Sequence, residues 1–244
     1  STPLLDGHDG APPSWINYAG GGDFHEVGRF QRDVIVQRTG LAPGERVLDL
    51  GSGIGRLAMA LHREGPKIRY DGLEIVRYGV EWCRKTFREA PDFRFHHADI
   101  RNSFYNPFGR TPAQEFRFPF ADASLDLVFA TSVFSHLMPN TTRHYLSEIA
   151  RVLVPGGRAY FTYFRADASR GVGAAFSFSE MSDGAAVESK AEPELAVAYE
   201  RAQLTEWAEA HGLVCDADWP GNWAALEGHD FQDAILLRKG QGQA

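Results

Sequence analysis

Short apolar runs alternate with amphipathic stretches along most of this chain, the pattern of a parallel sheet flanked by helices. Arg46–Leu50, set up by the turn Ala42-Pro43-Gly44, reads as a first strand covered on both faces. A helix is expected from about Ile54 to Arg63, with Leu57, Ala58 and Leu61 on one side. A second strand covers about Ile68–Glu74, and the helix after it carries Val80, Cys83 and Phe87 before Pro91 closes it. Phe93–Ala98 and Leu125–Ala130 are the third and fourth strands, with the irregular Arg101–Ala123 between them. From Pro139 a helix shows Tyr145, Leu146, Ile149 and Val152 at helical spacing. Pro155-Gly156-Gly157 ends it, and Arg158–Tyr163 is the fifth strand. Arg165 to Lys190 is rich in Gly, Ser and Ala with little apolar periodicity, and reads as a lid-like excursion over 165–200. A helix at Leu204–His211 and strands at Leu213–Asp216 and Phe231–Leu237 complete the order, all within one domain spanning 15–244.

Composition narrows the partners. With 43% hydrophobic and 23% charged residues, a chain of 244 residues can bury a core without disulfides or metals. A net charge of −7 supplies no global positive field, so a small molecule is the expected partner and nucleic acid is not. Cys83, in a helical pattern, and Cys215, in a strand pattern, read as free thiols. No apolar run approaches the roughly 20 residues that span a bilayer. Residues 1–14 lack a basic-then-apolar signal and read as flexible, so the cytoplasm is the expected compartment.

The segment richest in chemistry is Val47-Leu48-Asp49-Leu50-Gly51-Ser52-Gly53-Ile54-Gly55, where a strand ends, a glycine turn follows and a helix begins. Glycine allows positive φ and a ligand's close approach, and the helix start offers unpaired N–H groups. A dinucleotide loop would place its third glycine at position 56, which is Arg56; the spacing here is G-x-G-x-G. Such a turn suits a compact nucleoside–amino acid ligand with no pyrophosphate. Glu74, ending the second strand, is placed to accept both ribose hydroxyls, and Asp99, after the third, to accept the amino hydrogens of adenine. Capping the following helix is the alternative role for each.

VLDLGSGIG, Glu74, HHADI, FPFADASLDLVFATSVFSHL and RVLVPGGRAYF, in that order, resemble the class I S-adenosylmethionine (SAM)-dependent methyltransferases over about Arg46 to Tyr163. The resemblance implies a Rossmann-like α/β sheet of seven mostly parallel strands, order 3-2-1-4-5-7-6, the last antiparallel. It implies SAM contacts at Gly51, Ser52, Gly53, Gly55, Glu74, Asp99, Ile100 and Thr131. A narrower likeness, to a bacterial subgroup of small-molecule tailoring enzymes, is carried by GDFHEVGRF (Gly22–Phe30), YNPFG (Tyr105–Gly109), SVFSHL (Ser132–Leu137) and FQD (Phe231–Asp233). Sugar-containing metabolites are among the acceptors that likeness implies.

His136, in the segment after the fourth strand, is the candidate general base, since neutral imidazole takes a hydroxyl proton near neutral pH. Packing or capping is its alternative. His96 and His97 read as structural, and His144 with Arg143 as solvent-facing. Tyr18 and Phe24, on a flap expected at 15–40, and Tyr105, Trp219 and Trp223, on two loops, are candidate acceptor contacts. No Asn-Pro-Pro-Tyr or Asp-Pro-Pro-Tyr follows the fourth strand, which removes support for base or amide nitrogen methylation. No acidic residue lies between Thr131 and Leu137 and no His pair has ligand spacing, so no metal is expected. The reading is a metal-independent O-methyltransferase of a small hydroxylated metabolite. N- or C-methylation, a non-catalytic SAM-binding protein and a nucleotide-dependent oxidoreductase stand as alternatives.

Overall fold

The computed structural model describes residues 10–16, 18, 20–167, 175–182, 185–224, 228 and 230–241. Most of the segment expected to be flexible, 1–9 of 1–14, lies outside them, as do 168–174 and 183–184 of the expected excursion. The chain forms two compact units, one ending at Ala98 and one beginning at Asp99.

The first unit runs α1 (Phe24–Thr39), β1 (Arg46–Leu50), α2 (Arg56–Glu64), β2 (Arg69–Glu74), α3 (Arg77–Thr86) and β3 (Phe93–His97). Its strands are parallel, in the order β3-β2-β1. Beyond their first residues β1 and β2 are buried without alternation, as strands covered on both faces require. Tyr70 stacks on Phe93 at 5.0 Å and Phe93 on Phe87 at 5.5 Å, and Cys83 is buried and free. Asp23 caps α1 by accepting from the His25 and Glu26 amides, each at 2.9 Å. At Gly28 α1 meets α2 so closely that a Cβ would lie 2.7 Å from the Arg56 carbonyl oxygen.

The second unit opens with a short parallel pair, β4 (Ile100–Arg101) and β5 (Thr111–Pro112). There follow β6 (Leu125–Ala130), α4 (Pro139–Val152), β7 (Leu153–Arg165), β8 (Glu180–Ser182), β9 (Ala185–Val187), β10 (Val197–Tyr199), α5 (Arg201–Glu209), β11 (Leu213–Trp219) and β12 (Asp233–Lys239). β6 and β7 are parallel, while β12 lies antiparallel to both β7 and β11. The expected orders 3-2-1 and 4-5-7-6 therefore appear one in each unit, with the last strand antiparallel, as in a Rossmann-like fold.

Two departures have physical reasons. Pro155-Gly156-Gly157 lies inside β7, because the strand starts at Leu153 and the β6–β7 register shifts between Leu125 and Leu127 to absorb the irregularity. The excursion carries strands of its own: β10 continues parallel to the end of β7, and β9 and β8 add antiparallel. Three-residue strands such as Ala-Ala-Val and Val-Ala-Tyr are too short to register as a period. Phe164, Phe178 and Trp223 back them in a buried cluster with Ala186 and Ala198. Among the described residues no helix is long and apolar enough to cross a membrane.

Candidate functional site

In the first unit the chain leaves β1 through a turn in which Gly51, Gly53 and Gly55 have φ of 80°, 56° and 78°, a region that L side chains avoid. The Gly51 amide donates to the Leu73 carbonyl at 2.8 Å, fixing the turn beside the end of β2. No side chain caps the start of α2. Ser52 is buried, and its hydroxyl has no hydrogen-bond partner among the described residues. A glycine cradle, an orphaned buried hydroxyl and an uncapped helix start are what a polar ligand at this turn would use.

Glu74 is also buried here. Its Oε2 accepts from the Gly53 amide at 2.8 Å, and its Oε1 from the Ile75 and Val76 amides at 2.7 and 2.8 Å. Burial pushes its carboxyl up, opposed by those three donors. One carboxylate thus ties the glycine turn to the two residues that lead into α3, a helix with no side-chain cap bond of its own. A second lone pair on Oε2 is left over for a ligand hydroxyl.

Tyr18 and Phe24, the candidate acceptor contacts on the flap, both lie in the first unit. The Tyr18 hydroxyl comes so close to Gly79 that a Cβ there would meet it at 2.3 Å, and its ring stands edge-on to Tyr78 at 5.2 Å. Tyr18 therefore lies against the start of α3, while Phe24 is buried in the first turn of α1. The Arg56 guanidinium is buried and donates to the Gly20 and Gly21 carbonyls at 3.2 and 3.4 Å, securing the flap's glycines.

In the second unit His136 lies in a 3₁₀ turn, Phe134–His136, below Phe134, which stacks on Phe161 at 4.0 Å. Its Nδ1 is 2.9 Å from the backbone carbonyl of Glu194. A carbonyl only accepts, so Nδ1 carries the proton and the neutral ring keeps its Nε2 lone pair. Tyr105 stands edge-on to the imidazole at 6.1 Å. The Glu194 carboxylate is held in turn by the loop bearing Tyr105: Asn102 Nδ2 and the Ser103 amide donate at 3.3 Å, and the Ser103 hydroxyl at 2.6 Å. Glu194 drew no notice in the sequence, because its value lies in a main-chain carbonyl.

Asp99 pairs with Arg110 at 2.6 Å, an ion pair open to solvent on the arginine side, and Ile100 is buried with its carbonyl accepting from Asn106 Nδ2 at 2.9 Å. Thr131 is half-buried at the end of β6, and Ser132 after it has φ of 58°. Backbone strain of that kind collects at functional turns. Gln232 accounts for it: its Oε1 accepts from the Ser132 hydroxyl at 3.1 Å and the Thr162 hydroxyl at 2.6 Å, while Thr162 Oγ1 accepts the Ser132 amide at 2.8 Å. The neighbouring Asp233 accepts from the Gly221 amide, the Arg165 amide and Trp223 Nε1 at 3.0, 2.9 and 2.6 Å. The FQD segment is thus a fastening for the SVFSHL turn and for Trp223. Trp223 is a buried core residue, whereas Trp219 is half-buried with its ring 6.2 Å from Tyr160.

His96 and His97 are structural, as expected, at 2.7 Å from Asp71 and 3.1 Å from the Ile75 carbonyl. His144 corrects the solvent-facing expectation: it is half-buried and its Nε2 donates to the Phe116 carbonyl at 2.9 Å. Arg143 is exposed over the Trp207 ring at 4.4 Å. Among the described residues no three His, Cys, Asp or Glu side chains are grouped to hold a metal ion.

A profile of the methyltransferase domain family matches residues 47–157. Over 122 residues, half of this chain, it is 32% identical to phthiotriol/phenolphthiotriol dimycocerosates methyltransferase 1 of Mycobacterium ulcerans. Over 120 residues, 49% of the chain, it is 35% identical to a fatty-acid O-methyltransferase of Mycolicibacterium smegmatis. The matched stretches span only 38% and 36% of those relatives' lengths. Among solved structures, the 1,6-didemethyltoxoflavin-N1-methyltransferase of Burkholderia thailandensis, with bound 1,6-didemethyltoxoflavin and S-adenosylhomocysteine (SAH), superposes with a TM-score of 0.59 at 18% identity. That superposition covers 93% of this chain and 81% of the other.

Proposed function

We propose that this chain, similar over residues 47–157 to the methyltransferase domain family, is a class I SAM-dependent methyltransferase that methylates a hydroxyl oxygen of a small molecule, without a metal, with His136 as general base. The observation that carries this reading is the 2.9 Å bond from His136 Nδ1 to the Glu194 carbonyl. It selects the tautomer whose Nε2 accepts a proton, which an oxygen nucleophile must lose and an amine nucleophile need not lose before attack.

The glycine turn fits the cofactor by its cradle and its orphaned Ser52 hydroxyl. Gly51, Ser52, Gly53 and Gly55 would hold the amino acid end and Glu74 a ribose hydroxyl. Asp99, Ile100 and Thr131 keep their assignments as SAM contacts on the strength of the resemblance. When bound, SAM supplies a methyl group on a sulfonium that an acceptor lone pair displaces in line. The protein's part is to hold that lone pair in place, exclude water and take the hydroxyl proton at His136 Nε2. Both curated relatives are named as methyltransferases, one of them on oxygen, which favours the oxygen acceptor over nitrogen or carbon. A net charge of −7 favours a small-molecule acceptor over nucleic acid.

The test is methyl transfer to a panel of alcohols, phenols and amines, read as SAH released. Transfer to a hydroxyl that survives EDTA is expected, and His136→Ala should lower it roughly 10²-fold or more with SAH affinity unchanged. Turnover on amines alone, or full activity in the variant, would remove the base from the mechanism.

A further inference from the structure

In the first unit α1 and α2 enclose a pocket of about 240 Å³ of empty space, open in part to solvent. His25 and Arg29 line it from α1, and Arg56, Met59, Arg63 and Glu64 from α2. Helical spacing explains the lining, since 25 and 29 share one face of α1, and 56, 59 and 63 one face of α2. Among the described residues three guanidinium groups thus meet a single carboxylate, and that carboxylate is engaged. Glu64 Oε2 accepts from Arg32, a residue outside the lining that also donates to Asp33 at 2.7 Å. Asp23, whose charge reaches Arg29 and Arg56, is exposed and caps α1. Arg56 itself is only 8% exposed. Two of its N–H groups go to the Gly20 and Gly21 carbonyls, while its Nε is buried with no hydrogen-bond partner among the described residues. Burial lowers the pKa of this guanidinium, and the charge of Asp23 opposes that. A buried cation held only by carbonyls, with one donor orphaned, lacks the counter-charge that normally offsets desolvation.

We propose that this pocket binds a phosphate group, free or as a monoester, with Arg56 supplying the buried donor and Arg29 and Arg63 the exposed ones. The site is independent of His136 and of the methyl acceptor. Phosphate suits it better than a carboxylate does: its terminal oxygens and double charge can engage several guanidinium groups at once, whereas a carboxylate satisfies one. Met59 adds an apolar surface to the lining for the organic part of a monoester. Because the Arg56 side chain also holds the Gly20 and Gly21 carbonyls, an anion bound there neutralises the charge from which the flap's glycines hang.

The probes are inorganic phosphate and phenyl phosphate, titrated calorimetrically into the whole chain, with acetate as the singly charged comparison. Low ionic strength keeps the exposed guanidinium groups least screened. Saturable binding of one phosphate per chain is expected, about tenfold or more tighter than acetate; whichever phosphate binds more tightly identifies the source. Replacing Arg56 would also release the flap, so the variant is Arg29→Gln/Arg63→Gln, at two exposed positions. It should bind phosphate roughly tenfold more weakly, the scale of lost charge-assisted hydrogen bonds. Unchanged affinity in the variant, acetate binding as tightly as phosphate, or no saturable binding would overturn the proposal. Saturating SAH separates this pocket from the glycine turn: phosphate binding should persist, and competition between the two would put the anion in the cofactor cradle and overturn the proposal. Failure of SAH itself to bind would bring down the methyltransferase reading and leave the phosphate titration intact.

Discussion

Asp49 sits in the middle of the strand that leads into the glycine turn, fully buried, with the Tyr70 hydroxyl donating to it at 2.5 Å. Burial pushes its carboxyl up to about 7; the tyrosine bond opposes this and the charge of Glu74 adds to it. A carboxyl raised in the folded protein binds its proton more tightly there than in the unfolded chain, where the ordinary value is 3.8. Its contribution to stability is therefore complete below that unfolded value and is lost as pH rises through 7. Asp49→Asn keeps an acceptor for Tyr70 and removes the loss. Relative to wild type, the variant should gain roughly 2–3 kcal/mol between pH 5 and pH 8 in urea unfolding. Equal pH dependence in the two proteins would mean that Asp49 is ionised without penalty. Burial raises Glu74 as well, opposed there by three backbone donors.

Among the elements, α1 and α2 show how a motif legible in sequence acquires a reason. Gly28 lies inside GDFHEVGRF, and Gly→Ala in a helix ordinarily stabilises by up to about 1 kcal/mol. Here the Cβ would meet a backbone oxygen of α2 at 2.7 Å, so the sign should reverse. Gly28→Ala should destabilise by about 1–3 kcal/mol in urea unfolding; a neutral or stabilising result would show that the two helices can part without cost. The strands around the glycine turn were readable because their apolar runs are long and end at glycines. β8, β9 and β10 were not, being three residues each, and the start of β7 was hidden by a proline and two glycines that a bulge accommodates. His136 was legible as a candidate, and Glu194 was not, because any residue offers the same carbonyl. Phe24 and Trp223 lie on segments without apolar periodicity, so their burial was not legible, and neither was the approach of the Tyr18 hydroxyl to Gly79.

For the whole molecule the cofactor assignment has a direct thermodynamic consequence. A ligand that binds only the folded chain stabilises it by about 2.7 kcal/mol at a hundredfold excess over its dissociation constant. For a chain of this length that corresponds to a rise in melting temperature of about 5–10 °C. SAH should produce it and NADH should not; the reverse outcome would restore the nucleotide-dependent oxidoreductase. The double hold of Glu194, side chain on the loop and main chain on the imidazole, has a further effect. A change in the loop from Asn102 to Ser103 would therefore also shift the imidazole proposed as the base, and substitutions there should surface in rates and pH profiles as well as in affinity.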